Sequence, residues 1–359
     1  MNASEIILRR LSNQQITRQD FDTPSKLLHW MLAMQAQDFA MAKWAMGLRL
    51  KGLNETDIDK AFNEGSILRT HLLRPTWHFV CPSDIRWLTR FTAPRIRKIM
   101  KSSFVKMEMD AKMLQKGNAL LAKCLQGNNH LDRNELKSIF QKSKLNADKE
   151  RMSFFLMEAE LEEIVCSGPR KGKQFTYALL DERAPNAKSL SRPEALMEIC
   201  KRYFRSRGPA TIADMAYWSG LTMKEIHEGV EVLGTEFSRV QGEKTTLIYA
   251  LNADYTNMNS KATFLVPDYD EYGMSYKDRG AFQLRGEGKT DIRAEGNTAI
   301  HFFVVNGKYA GNWTRNFEKN IVKVNTKPTA KLSVAAEARL NAGIRKYENF
   351  FKSRQVKIE

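Results

Sequence analysis

The chain has 359 residues, of which 42% are hydrophobic and 27% charged, so disordered and low-complexity classes are excluded. Lys and Arg number 57 and Asp and Glu 41, a net charge of +16, which indicates a polyanionic partner, either nucleic acid or an anionic membrane surface. With no run of about 18 apolar residues, no apolar leader and only four widely spaced cysteines, we expect a cytoplasmic protein without a membrane span, a disulfide framework or a zinc site.

The N-terminal segment predicts a helix-turn-helix followed by a β-hairpin. Thr23 has the spacing of a helix cap, and Pro24 occupies the first helical position. Further helices and strand-like runs are predicted at 39–50, 58–65, 66–73 and 76–80. Three helices followed by a hairpin form a winged helix, which we place with a connecting helix at residues 1–110.

The same order of elements is predicted a second time, over residues 111–188. Asp132 and Glu135 have capping-box spacing and mark the start of one helix. The other predicted elements are helices at 119–126 and 152–164 and strands at 164–166 and 174–179. The tip of this hairpin, residues 168–173, carries three cations in six residues.

A third copy is predicted over residues 189–258. Three capping boxes mark successive helix starts, at Ser191 with Glu194, Thr211 with Asp214, and Thr222 with Glu225. A hairpin follows, with strands at 237–240 and 245–249 around the turn 241–244. Residues 259–359 change to alternating β segments at 263–266, 299–305 and 321–324, with Asn306-Gly307 as a hairpin turn and a helical tail from Lys331. We therefore predict an α+β protein with tandem winged helices and a small, barrel-like β-rich C-terminal domain.

Winged helices together with the charge favour duplex DNA over a membrane as the partner. The cations form three clusters spread along the chain, a distribution that suits phosphates better than single bases. The clusters are Arg95, Arg97, Lys98 and Lys101; Arg170, Lys171 and Lys173; and Lys201, Arg202, Arg205 and Arg207. For each cluster, a solvated helix face remains an alternative. An RNA-binding protein would be expected to carry an aromatic platform motif that this sequence lacks.

Two segments contain polar residues suited to chemistry. In the segment 34–38, Gln35 and Gln37 could face one point only if the preceding helix ends before them. In the predicted strand 76–80, Thr76, His78 and Val80 share one face. From the residues alone, helix capping by the glutamines and a hydrogen-bonded core role for His78 remain open alternatives.

These segments carry a resemblance to a known family, the AlkZ/YcaQ winged-helix DNA glycosylases. It rests on Gln35-Ala36-Gln37, on the strand pair 69–80 with its Thr-x-His, on the run FLVPDYDEY at 264–272 followed by Asp278-Arg279, and on the run 305–313. The resemblance implies a DNA repair enzyme of base excision repair. Its expected reaction is hydrolysis of the N-glycosidic bond of N-alkylated purines, and crosslinked bases belong to the family's range. The alternative is a non-catalytic winged-helix transcriptional regulator, which would bind paired half-sites as a dimer.

The resemblance also assigns roles to residues. Gln35 and Gln37 would hold the attacking water, and His78 would act in the site as a hydrogen-bond donor. Contacts to duplex DNA are assigned to Thr76, Arg69, Arg74, Arg170, Lys171, Lys173, Arg202 and Arg205. The protein would act as a monomer, with neither a cofactor nor a metal ion.

Acidic residues near these segments are interpreted as structural. Some relatives have Asp where this chain has Gln37; an Asp could act as a general base, whereas a glutamine can only orient water. Asp38 opens a helix and is predicted to be its N-cap. Asp268, Asp270 and Glu271 lack the further oxygen ligands of a cation-binding loop and are predicted to be hydrogen-bond acceptors.

Overall fold

The computed structural model describes residues 1–241, 245–251, 255, 261–282, 301–318 and 321–351. The chain forms two compact units. The first comprises Met1–Asp59 and Met197–Glu359, and the second comprises Lys60–Leu196. The four-part division at residues 110, 188 and 258 stays a prediction.

Helices and short strands alternate along the first part of the chain, where an α-helix at the N-terminus precedes the elements expected from the sequence. The elements are α1 (Ala3–Asn13), α2 (Pro24–Met31), β1 (Ala33–Gln35), α3 (Phe39–Arg49), α4 (Glu55–Glu64), β2 (Leu68–Leu72), β3 (Thr76–Val80) and α5 (Pro82–Lys106). Thr23 caps α2 and Pro24 is its first residue, as predicted. Helix α1 was not predicted from the sequence; its cap Asn2 accepts a hydrogen bond from the Glu5 backbone N–H at 2.9 Å.

The middle of the chain has the winged-helix order of three helices and a hairpin. Its elements are α6 (Ala111–Cys124), β4 (Leu131–Asp132), α7 (Arg133–Lys142), α8 (Lys149–Leu161), β5 (Val165–Ser167), β6 (Thr176–Leu179) and α9 (Leu180–Arg183). The capping box of Asp132 and Glu135 is present at the start of α7. Helix α6 begins earlier than predicted because Asp110 caps it by accepting from the Met113 N–H. Strand β4, which was not predicted, pairs with β6 and makes this a three-stranded sheet.

The third helical set follows the predicted helix starts closely. It consists of α10 (Arg192–Arg207), α11 (Ile212–Ser219), α12 (Met223–Glu231), β7 (Phe237–Gln241) and β8 (Thr246–Ala250). Both capping boxes at Thr211 and Thr222 are formed, and Gly220 ends α11 with a left-handed backbone, φ 75°. The predicted turn at 241–244 lies mostly outside the described residues.

The C-terminal region is built on one antiparallel sheet. It contains β9 (Phe264–Leu265), α13 (Glu271–Met274), a 3-10 turn (Gly280–Phe282), β10 (Phe302–Val305), β11 (Lys308–Glu318), β12 (Ile321–Pro328) and α14 (Val334–Phe351). The four strands lie in the order β12-β11-β10-β9 and curl into a half-barrel. Asn306 and Gly307 both have positive φ, 53° and 71°, as a two-residue hairpin turn requires. The α+β class is confirmed.

Aromatic side chains form the core of this region. Tyr347 of α14 packs edge-on against Trp44 of α3 at 5.2 Å and against Trp313 of β11 at 5.1 Å, between ring centroids. Both indole N–H groups donate to backbone carbonyls near β9, at Leu265 and Val266. The sheet and α3 are therefore joined through satisfied polar contacts as well as apolar packing. Among the described helices, none is long and apolar enough to cross a membrane.

Candidate functional site: a pinned glutamine segment and a basic hairpin

The helix that precedes the two glutamines ends before them, as their convergence would require. α2 stops at Met31, and Leu32 takes a positive φ of 66°. The short strand β1 carries Gln35, and α3 begins after Asp38. Asp38 accepts a hydrogen bond from the Met41 N–H at 3.0 Å, so its predicted role as an N-cap is confirmed.

The two glutamines differ in exposure. Gln35 is 8% exposed, whereas Gln37 is an exposed residue. Within the described part of the chain, no residue forms a hydrogen bond with the side-chain amide of Gln35. A side-chain amide that no protein group binds is available to a polar ligand such as water.

A buried ion pair holds the backbone around Gln35. The guanidinium of Arg207 donates to the carbonyls of Met31 and Ala33, both at 2.8 Å. Glu271 accepts the Gln35 N–H at 2.9 Å through Oε1. The pair is closed by a contact of 2.7 Å between Arg207 Nη2 and Glu271 Oε2, with side chains 0% and 2% exposed.

Further donors fix Glu271 itself. Its Oε2 accepts from the indole of Trp218 at 2.9 Å and from the hydroxyl of Ser275 at 2.8 Å. A carboxylate held by this many donors has one orientation. Through it, α10, α11 and α13 determine where the backbone of Gln35 lies.

The neighbouring acids are also structural, as predicted. Asp270 forms a bidentate pair with Arg49 at 2.7 and 2.8 Å, and both side chains are fully buried. Asp268 accepts the His301 N–H and contacts its ring Nδ1 at 2.7 Å. Nowhere in the described ranges do three or more His, Cys, Asp or Glu residues gather in a way that could hold a metal ion.

The opposite end of the glutamine segment is held by the C-terminal sheet. Arg315 of β11 donates to Asp38 Oδ2 at 3.2 Å and also to the Tyr347 hydroxyl at 3.1 Å. Asp38 therefore caps α3 with one oxygen and binds an arginine with the other.

In the second unit, β2 and β3 form a hairpin that carries the predicted Thr-x-His pair. His78 is buried, and its Nδ1 lies 2.9 Å from the carbonyl of Thr76. Because a carbonyl can only accept, Nδ1 must carry the proton. The other ring nitrogen, Nε2, is then an acceptor in the neutral ring and a donor only when His78 is protonated.

A second histidine on this hairpin, His71, was not among the site residues predicted from the sequence. His71 stands opposite Trp77 in the strand pair and stacks on it at 3.9 Å between centroids. Its Nδ1 lies 2.7 Å from Oε2 of the buried Glu160, which also accepts from the Thr70 hydroxyl at 3.1 Å. The contact joins α8 to β2, and no short motif in the sequence signals it.

The predicted DNA contacts divide into buried and accessible cations. Arg69 is buried, with its guanidinium 4.2 Å from the Trp77 ring centroid. Arg202 is 4% exposed and donates to the carbonyls of Leu28 and His29 at the end of α2. We therefore leave these two arginines out of the proposed DNA interface, because their guanidinium groups are used inside the protein.

The remaining candidates reach the surface to different degrees. Arg74 and Thr76 are half-buried at the β2–β3 turn. Arg205 pairs with Glu236 at 3.0 Å. The pKa of the Glu236 carboxyl lies below its ordinary value, mainly because Lys201 forms a hydrogen bond with it and also because Arg205 is close.

The tip between β5 and β6 presents the most accessible cations of the predicted set. Arg170 is half-buried and donates to the Lys173 carbonyl at 3.0 Å. Lys171 contacts both oxygens of Glu135 at 2.9 Å, and this hydrogen bond is the main reason why the pKa of Glu135 is lowered. Lys173 is exposed, and no carboxylate within the described residues pairs with it.

Comparisons with known proteins identify the family. The model of the AlkZ-like DNA glycosylases matches residues 28–350. The chain belongs to this family. It is a DNA glycosylase, and therefore a DNA repair hydrolase that binds DNA.

The fold has a solved counterpart. The structure of the DNA glycosylase AlkZ from Streptomyces sahachiroi matches with a TM-score of 0.79 and 18% identity, over 97% of each chain. The winged-helix arrangement expected from the sequence is shared with that protein. A search of curated protein sequences finds no match.

Proposed function

We propose that this DNA glycosylase is monofunctional and hydrolyses the N-glycosidic bond of N-alkylated purines in duplex DNA. The observation that carries the proposal is the side-chain amide of Gln35, which has no hydrogen-bond partner among the described residues and belongs to a residue that is 8% exposed, with its backbone held by Arg207 and Glu271. Such an amide is suited to hold one water molecule. Gln37, two residues further along the same non-helical connection, is the second proposed ligand of that water.

The proposed step consumes one water and releases one proton. The water oxygen bonds to the anomeric carbon while the carbon–nitrogen bond breaks and its electron pair leaves with the base. A glutamine cannot titrate, so its carbonyl dipole orients the water and stabilises the oxocarbenium-like transition state, while the proton passes to solvent. An N-alkylated purine that is already cationic leaves as a neutral base and needs no general acid. This chemistry favours cationic lesions over neutral ones.

His78 and Thr76 are proposed to contact the lesion or an adjacent phosphate. The Thr76 carbonyl fixes the ring tautomer, so Nε2 of His78 would donate to an anionic group only when the ring is protonated. Lys173, Arg74, Arg170, Lys171 and Arg205 are the proposed phosphate contacts. Lys171 and Arg205 would first have to leave the carboxylates that they bind in the free protein.

Single-turnover base release from duplex DNA containing an N7-alkylated guanine tests the glutamine assignment. Gln35→Ala and Gln37→Ala should each slow release by about 10²-fold, the scale of one lost preorganised contact. The exposed Gln115 of α6 provides the control, and Gln115→Ala should retain the original rate. Full activity in both alanine variants would overturn the assignment. Gln37→Asp should retain activity with a new pH dependence, because it restores the carboxylate found in acidic relatives.

The nature of the product tests the monofunctional mechanism. Hydrolysis leaves an abasic site that breaks only after alkali, whereas a protein–DNA adduct trapped by borohydride would show Schiff-base chemistry instead. The same assay on a duplex with an interstrand crosslink between alkylated purines tests whether crosslinked bases are substrates.

His78→Ala separates binding from turnover. We expect it to reduce turnover more than duplex affinity, because one contact matters little among many phosphate contacts. Equal losses would assign His78 to the structure of the hairpin. Site-selective binding of a dimer with no base release would instead favour the transcriptional regulator.

A further inference from the structure

The C-terminal half of α5 has an exposed, basic outer face. Arg95, Lys98, Lys101 and Lys106 are all exposed. We call these four residues the α5 basic face. Positions 95, 98 and 106 fall within roughly 80° around an α-helix, and position 101 lies about 60° beyond this arc, so the four positions span about 140°. The stretch from Arg95 to Lys106 contains no acidic residue.

The cations of this face lack the carboxylate partners that their neighbours on α5 have. Arg90 pairs with Glu163 at 2.8 Å, and Arg97 with Glu158 at 2.9 Å. Across the part of the chain that the structure describes, none of the four α5 basic face residues forms an ion pair. Their charge is therefore available to an outside partner.

The opposite side of α5 is packed against the protein, so the α5 basic face points to solvent. Ala93 and Ile96 are buried against Met157 and Leu161 of α8. From 95 to 106 the helix rises about 16 Å, at about 1.5 Å per residue. One strand of B-DNA has a phosphate every 3.4 Å or so of helix axis, so the face spans about four to five phosphates.

We propose that the α5 basic face binds the phosphate backbone of duplex DNA. The inference deepens the proposed function, on which it rests, by naming a sequence-independent contact outside the glutamine segment and the β2–β3 hairpin. Two exposed apolar side chains, Ile99 and Val105, lie in the same stretch. A helix that lies in a membrane interface needs a broad apolar face, which two side chains among four cations do not make.

Paired lysine substitutions test the proposal. Lys98→Gln with Lys101→Gln removes two charges from the α5 basic face. Lys26→Gln with Lys60→Gln removes two charges from exposed lysines that contact Asp22 and Glu64 and serves as the matched control. Affinity for an undamaged 20-base-pair duplex is measured by fluorescence anisotropy over a series of salt concentrations.

The expected result is a change in salt dependence in one variant only. For the Lys98 and Lys101 variant, the slope of log K against log salt should become shallower by about 2, with affinity about 30-fold weaker near 0.15 M salt. The control should keep the original slope. An unchanged slope in the first variant, or equal changes in both, would overturn the proposal, and so would charge-dependent binding to anionic phospholipid vesicles without a change in duplex binding.

Base release from alkylated duplex separates this proposal from the proposed function. Suppose that the wild-type protein releases the base and that duplex binding by the Lys98 and Lys101 variant keeps the wild-type salt slope. The proposal that the α5 basic face binds DNA is then wrong, and the proposed glycosylase function is unaffected. If no alkylated base is released but duplex binding still depends on Lys98 and Lys101, the substrate proposal fails and the DNA surface stands.

Discussion

Arginines in the first unit and cations on α5 in the second unit have opposite uses. Arg49 and Arg207 are completely buried, each against one carboxylate of the adjacent pair Asp270 and Glu271. The α5 basic face consists of exposed cations without an acidic partner. Every cation in either group adds one positive charge to the same net charge of +16. Net charge therefore predicts a polyanionic partner for the protein as a whole but does not identify the cations that contact this partner.

The buried pairs have a cost that the exposed cations avoid. An arginine removed from water must recover its hydration from carboxylates and carbonyls, and removing one partner leaves an uncompensated charge inside the protein. In return, a planar guanidinium with several fixed acceptors defines a geometry. Arg207 illustrates this benefit because its acceptors include two backbone carbonyls next to Gln35.

The largest effect is expected for Glu271→Gln. The substitution keeps the shape of the side chain but leaves the buried Arg207 without its counter-charge, which should lower the free energy of unfolding by about 3–5 kcal/mol. Urea denaturation measures the change. Glu231→Gln is the control, since Glu231 is an exposed residue paired loosely with Arg239 at 3.5 Å, and its loss should be below about 1 kcal/mol. Equal stability losses would remove the contrast between buried and exposed pairs.

Arg202→Met should also act on stability rather than on DNA binding. The substitution removes hydrogen bonds to the Leu28 and His29 carbonyls, so we expect the free energy of unfolding to fall by roughly 2 kcal/mol. The slope of log K against log salt for duplex binding should stay the same. A shallower slope would show that Arg202 contacts DNA, as the sequence predicted.

Lys173→Gln is expected to show the reverse behaviour. Lys173 is exposed at the β5–β6 tip and pairs with no described carboxylate, so its loss should not change the urea midpoint. The salt slope of duplex binding should become shallower by about 1, the value for one phosphate contact. An unchanged slope would place this tip away from DNA.

The smallest effect concerns the pKa of Glu135. The hydrogen bond from Lys171 holds this pKa below its ordinary value, so Lys171→Gln should raise it toward that value. Because the lowered pKa favours the ionised carboxylate, the pair is complete above the ordinary pKa of glutamate and is lost as the pH falls through the lowered value. NMR titration of the Glu135 side chain follows this.

Duplex DNA provides a second use of the same titration. If Lys171 leaves Glu135 to bind a phosphate, adding duplex to the wild-type protein should raise the pKa of Glu135 as the substitution does. A pKa that stays low at saturating DNA would mean that Lys171 keeps its carboxylate partner in the complex.

Local signals were sufficient to predict many of the helices. The capping boxes at Asp132, Thr211 and Thr222 predicted three helix starts correctly, because a cap and its partner are three residues apart. The hairpin turn at Asn306-Gly307 implied a strand after it, but the bounds of β11 were not predicted, since they are set by its pairing with β10 and β12. Strand pairing of this kind depends on the rest of the sheet rather than on the strand's own sequence.

The polar contacts around the glutamine segment could be predicted only in part. The sequence suggested that Asp270 and Glu271 are hydrogen-bond acceptors, but their arginine partners lie 221 and 64 residues away along the chain. No spacing rule joins residues so far apart. For the same reason Arg202 and Arg207 were grouped with surface cations, although the fold encloses both.

The pinned segment also sets a limit on how this enzyme can change. Residues 31–38 are held at one end by Arg207 and Glu271 and at the other by Arg315. One inserted or deleted residue would displace the chain by about 3.8 Å, further than any of these hydrogen bonds can stretch. The segment therefore has a fixed contour length. A change of lesion specificity, by evolution or engineering, would therefore require substitutions within this segment at constant length. Insertions and deletions would have to occur in other parts of the protein.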